Sequence, residues 1–70
     1  MKMNDLKTFH ADYFVCHIAK DYNNRIDPSR WKDHPYDILI SSAFVYAPCN
    51  KDELKKLADF IYQVIGENNG

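Results

Sequence analysis

Glycine and proline are both scarce, with two and three residues in a chain of 70. That argues against a scaffold made mostly of loops. Two cysteines, Cys16 and Cys49, are too few for a disulfide framework and read as free thiols. No apolar run approaches the 18 residues that a membrane-spanning helix needs. The N-terminus, Met1-Lys2-Met3-Asn4-Asp5-Leu6-Lys7, has no apolar leader, so a reducing, cytoplasmic location is expected. Charge of one sign is also lacking. The formal net charge is −1, residues 25–36 carry only +1 and residues 37–70 only −2. A broad phosphate-tracking surface and a strongly acidic nucleic-acid mimic are therefore both disfavoured.

What is present is apolar and aromatic. The AVILMFWYC set makes up 46% of the chain, and ten residues are aromatic. This is too apolar for intrinsic disorder and long enough for one small domain, residues 1–70, but not for two. A domain of this size buries only about 60% of its unfolded surface. Asn, Lys, Ile, Tyr and Asp are frequent and Ala and Gly scarce, a usage that fits an AT-rich genome such as a phage or mobile element carries.

Turn signals lie at residues 22–28, continuing to His34-Pro35, and at Ala47-Pro48-Cys49-Asn50. They separate three segments. In the last, Asn50 is a good N-cap and stands three residues before Glu53, a capping-box spacing. Leu54, Leu57, Ala58, Ile61, Val64 and Ile65 follow helical spacing, and Gly66 offers a left-handed stop. A helix is predicted over 50–65. Its apolar arc is wide, with Phe60 on one border and Tyr62 on the other, which suits two neighbours in a bundle. A sharper reading turns Phe60 toward a partner chain.

Residues 5–22 fit a helix with the stripe Ala11, Phe14, Val15, Ile18 and Tyr22. They also fit a strand with Phe9, Ala11, Tyr13, Val15 and Ala19 on one face and Phe14, Cys16 and Ile18 on the other. The scattered Lys7, Asp12, Lys20 and Asp21 favour the helix. Residues 36–47 alternate at Ile38, Ile40, Phe44 and Tyr46 as a strand would, yet also carry a helical stripe. Apolar on most sides, this segment is expected at the centre of the core in either form. Asp27-Pro28-Ser29-Arg30 reads as an N-cap followed by proline at the first helical position. The predicted fold is mostly α, a three-helix domain with a short extra turn near 28–33. The alternative is an α+β fold of ββα type. It ranks second because its hairpin connection would be unusually long and a two-stranded sheet is marginal.

Catalytic chemistry finds little support. On a helix His10 and His17 are seven residues apart, about 10.5 Å along the axis, too far to share a zinc ion easily. No CxxC, HxxxH or HExxH occurs. Cys16 and His17 are adjacent and point apart in any regular structure. Ser41 and Ser42 lack a nucleophile-elbow context, and no phosphate loop or dinucleotide fingerprint is present. No enzyme, metal or cofactor is expected.

Binding finds more. Arg25, Arg30, Trp31, Lys32, His34 and Tyr36 crowd one connector, and Trp, Arg and Tyr are the residue types richest in binding hot spots. The plain alternative is that Trp31 caps the core and the basic residues solvate a loop. The expected function is a small cytoplasmic protein-binding module, of a phage or mobile-element accessory kind. It would inhibit a host factor or defence system by occupying its surface through Arg25, Arg30, Trp31, Lys32, Tyr36 and Phe60, and self-association would suit its size. The alternative is a small dimeric nucleic-acid-binding regulator. Asp27 and Asp33 dilute the connector's positive charge and weaken that version.

Overall fold

A computed structural model describes residues 6–67. In chain order it has β1 (Lys7–His10), β2 (Val15–Lys20), α1 (Tyr22–Ile26), α2 (Pro28–Trp31), β3 (Tyr36–Ser41) and α3 (Lys51–Glu67). The strands form one antiparallel sheet in the order β1-β2-β3. The mostly α expectation is therefore overturned. The fold is α+β, the class weighed as the alternative, with a third strand that ββα does not have.

The error lies in residues 5–22. Residues 7–20 form a hairpin, with Phe9 opposite Cys16 and Lys7 opposite Ile18. The Ala11 amide donates to the Phe14 carbonyl at 2.9 Å and closes the turn over Asp12 and Tyr13. Reversing the chain there puts Phe9, Phe14, Cys16 and Ile18 into a common core, which neither a single helix nor a single strand would do. The charges that favoured a helix fall at strand ends and in the turn.

α3 starts as expected. Asn50 Oδ1 accepts from the Glu53 amide at 2.8 Å. The reciprocal half of the capping box is absent, because Glu53 Oε2 instead accepts from the Asp12 amide at 2.9 Å. That bond ties the start of α3 to the hairpin turn. The helix then runs back along β1, and Phe60 meets Phe9 with ring centroids 5.6 Å apart. Val64 ends the buried stripe and joins Phe14, Cys16 and Ile18 in the core. Gly66 does not stop the helix, which continues to Glu67.

The core is small. Phe14, Cys16, Ile18 and Val64 are buried, with Phe9, Ala11, Ala47, Leu57 and Phe60 packed around them. α3 lies against β1 and leaves Ile38 and Ile40 of β3 exposed. Residues 36–47, expected at the centre of the core, are instead largely exposed. Ile38, Leu39 and Ile40 keep 62%, 61% and 57% of their surface in water. The two-neighbour bundle expected for α3 is replaced by one neighbour, the sheet.

Candidate functional site

Two surfaces concentrate residues suited to binding. The first is the connector between β2 and β3. α1 has only five residues and no cap of its own, since Asp21 takes a left-handed conformation (φ 61°) with no side-chain capping bond. Asp37, on β3, supplies the cap from a distance. Its Oδ2 accepts from the Tyr22 amide at 3.0 Å and the Asn23 amide at 3.3 Å, while Oδ1 accepts from Asn23 Nδ2. α2 is capped locally, as the Asp27-Pro28 pair predicts: Asp27 accepts from Ser29 Oγ at 2.9 Å and from the Arg30 amide at 3.3 Å. Asn24 Nδ2 donates to the Trp31 carbonyl at 3.0 Å and joins the two short helices.

On this frame the Arg30 guanidinium lies 4.7 Å from the centre of the Trp31 ring, a cation–π geometry. His34 meets the same ring edge-on at 6.1 Å. Trp31 is half-buried, Arg25 and Lys32 are exposed, and Tyr36 opens β3 with its side chain exposed. The structure thus brings Arg30, Trp31 and His34 together. Phe60 is not among them. It is half-buried against Phe9 on the helix side of the sheet.

The second surface is β3 and what overlooks it. The Asp21 amide donates to the Pro35 carbonyl at 2.7 Å. With the register Lys20–Tyr36 to Val15–Ser41, this fixes which β3 residues bond to β2. Asp37, Leu39 and Ser41 turn their main-chain groups toward β2, while Ile38 and Ile40 turn theirs outward, since the pattern alternates along an antiparallel ladder. β3 is an edge strand, and its outer row is available. Its side chains are apolar on both faces, Ile38 and Ile40 on the α3 side and Leu39 on the other. Its one charge, Asp37, is committed to capping α1.

α3 adds to this surface. Glu53, Leu57, Phe60 and Val64 form its sheet-facing stripe. Leu54, Ile61 and Ile65 lie roughly a quarter-turn further round a helix of 3.6 residues per turn. For a right-handed helix running parallel to β2, with β1 on Phe60's side, that turn faces β3. All three are more than a third exposed, on the flank of the helix turned toward the β3 side of the sheet. Beneath the sheet, Leu6, His17, Ala19, Tyr22 and Leu39 line a shallow hollow of about 420 Å³. Ile38, Leu39, Ile40, Leu54, Ile61 and Ile65 were not singled out from sequence as site residues. The signal was there: Ile-Leu-Ile is apolar at both parities, in a chain too short to cover both faces of a strand.

Neither thiol is set up as a nucleophile. Burial pushes the Cys16 thiol above its ordinary value. At Cys49, loss of water around the sulfur and the nearby Glu53 carboxylate raise it also. Both therefore stay protonated at neutral pH, the less reactive form. Among the described residues no three His, Cys, Asp or Glu side chains converge to hold a metal ion. No described helix is long and apolar enough to cross a membrane.

The chain matches no protein-family model, no curated protein and no solved structure.

Proposed function

We propose that this chain is a protein-binding module that acts by occupying a surface rather than by catalysis, and that its working surface is β3. The observation that carries the reading is Ile38-Leu39-Ile40, an edge strand with outward main-chain groups and apolar side chains uncovered on both faces. Exposed edges are usually blunted by lysine, proline, a bulge or a covering element, and β3 has none of these. An added strand would find main-chain partners along the outer row and apolar contacts on both sides of it. The connector with Arg25, Arg30, Trp31 and Lys32 adjoins the start of β3 and supplies a polar, aromatic flank. An inhibitor of a host factor, as a phage or mobile element would encode, is one role such a module fills.

The test compares two variants. Ile40→Pro removes an outward N–H and leaves the β2 ladder intact, because proline is tolerated where an edge faces solvent. Trp31→Ala disables the connector. Tagged wild-type and variant chains are used to capture proteins from a host lysate, with folding checked by circular dichroism. Loss of the wild-type captures in Ile40→Pro, and their retention in Trp31→Ala, supports the β3 reading. Unchanged capture by folded Ile40→Pro refutes it.

A further inference from the structure

We propose that the protein bound at the β3 edge is a second copy of this chain, paired β3 to β3 antiparallel about a two-fold axis at Leu39. The inference rests on the reading of β3 as a protein-binding edge and names its partner.

The strand is self-complementary. With the axis at Leu39, Ile38 faces Ile40 of the second copy, Leu39 faces Leu39, and Ile40 faces Ile38. Asp37 lies opposite Ser41 and Tyr36 opposite Ser42. Apolar residues meet apolar ones, polar residues meet polar ones, and no two like charges oppose each other. A one-residue shift of the axis to Ile38 sets Asp37 against Leu39 and loses this match. The hydrogen bonding agrees. Ile38 and Ile40 carry the outward main-chain groups, so the Ile38–Ile40 pairs become the bonded pairs and Leu39–Leu39 the close, non-bonded pair at the axis. An isologous contact of this kind uses one patch twice, as two-fold dimers do.

Charge distribution also favours a second copy over a charged foreign segment. The outer edge presents neither a basic nor an acidic row, because Asp37 is held by α1. Pairing gives a six-stranded sheet with both α3 helices on one face. It covers part of Ile38, Leu39 and Ile40, which the monomer leaves in water. One paired strand per copy is a small interface, so association in the micromolar range is expected rather than a permanent dimer.

The first measurement is solution mass by light scattering or sedimentation over a dilution series through the micromolar range. The expected result is a rise from 8.2 kDa toward twice that value with concentration. Leu39→Lys places two positive charges at the axis on an already exposed position, so the folded variant should stay at 8.2 kDa. The register is read by cross-linking in a Cys49→Ser background. Leu39→Cys should form a disulfide-linked dimer on air oxidation, since Cα atoms in a non-bonded antiparallel pair lie about 4.5 Å apart. Ile38→Cys, facing Ile40 of the second copy, should cross-link far more slowly. Efficient linking of Ile38→Cys but not Leu39→Cys overturns the register. A wild-type chain that stays at 8.2 kDa throughout overturns self-pairing. In that event the β3 reading still stands if Ile40→Pro abolishes capture of a foreign protein, and falls if it does not.

Discussion

Asp37 is the residue whose removal should reveal most about how the connector is held. Its carboxylate sits on β3, yet it caps α1 across fourteen to fifteen residues of chain by accepting from two backbone amides and one side-chain amide. In Asp37→Ala those donors turn to water, which reaches them because the site is only partly buried. A lost N-cap costs about 1 kcal/mol, and the lost charge at the positive end of a helix adds a few tenths more. The expected destabilisation is therefore about 1.5 kcal/mol. For a domain of this size each kcal/mol lowers Tm by roughly 4–8 °C. Thermal unfolding followed by circular dichroism at one fixed concentration should show a drop of about 6–12 °C on that scale. Asp37→Asn keeps one acceptor oxygen and loses the charge, so it should fall between wild type and alanine. A change below about 0.5 kcal/mol for Asp37→Ala, the range of an ordinary surface substitution, would refute the long-range cap.

Other perturbations bear on the rest of the fold. Asn50→Ala removes the α3 cap and should cost about 1 kcal/mol in urea unfolding, with m unchanged. Phe60→Ala opens the contact with Phe9. Since Phe60 is half-buried it should cost about 2 kcal/mol, below the 3–5 of a fully buried Phe. The two thiols should separate by alkylation. Cys16, at 1% exposure, should react only on unfolding. Cys49 should react in the folded chain, more slowly than a free thiol at neutral pH and faster as pH rises, because its raised pKa lowers the thiolate fraction.

The parts of the fold legible in the sequence were those fixed by local chemistry. Asn50 and Glu53 mark the start of α3, and Asp27-Pro28 marks α2, because a cap needs only residues within one turn. The hairpin was not legible, because its turn over Asp12 and Tyr13 contains no glycine or asparagine to punctuate it. Tyr13 is exposed while Phe14 next to it is buried, so the apolar count does not show where the chain reverses. Gly66 misled as a helix stop, since glycine permits the left-handed conformation without requiring it. Ser41-Ser42, awkward for strand and helix alike, marks where β3 ends. Ser42 Oγ donates to the Tyr13 carbonyl and accepts from the Phe44 amide, each at 3.0 Å. Of the candidate surfaces, the connector could be read from its residue types. The β3 surface was harder to read: Ile38-Leu39-Ile40 is apolar at both parities, but an apolar strand reads as core until the number of elements available to cover it is known. Here a single long helix covers one half of one face.

The two edges of the sheet are unequal, and this bears on how assembly ends. β1 is four residues long and carries Lys7 and His10, whereas β3 is six residues long and has no positive charge. If β1 of one molecule accepted β3 of the next, each addition would leave a fresh β3 exposed and the product would be an open filament. Joining β3 to β3 consumes both permissive edges at once, and the sheet that results is bounded on both sides by β1. Under the proposed pairing growth stops at two, and a strand with the composition of an aggregation seed becomes the seam of a closed particle.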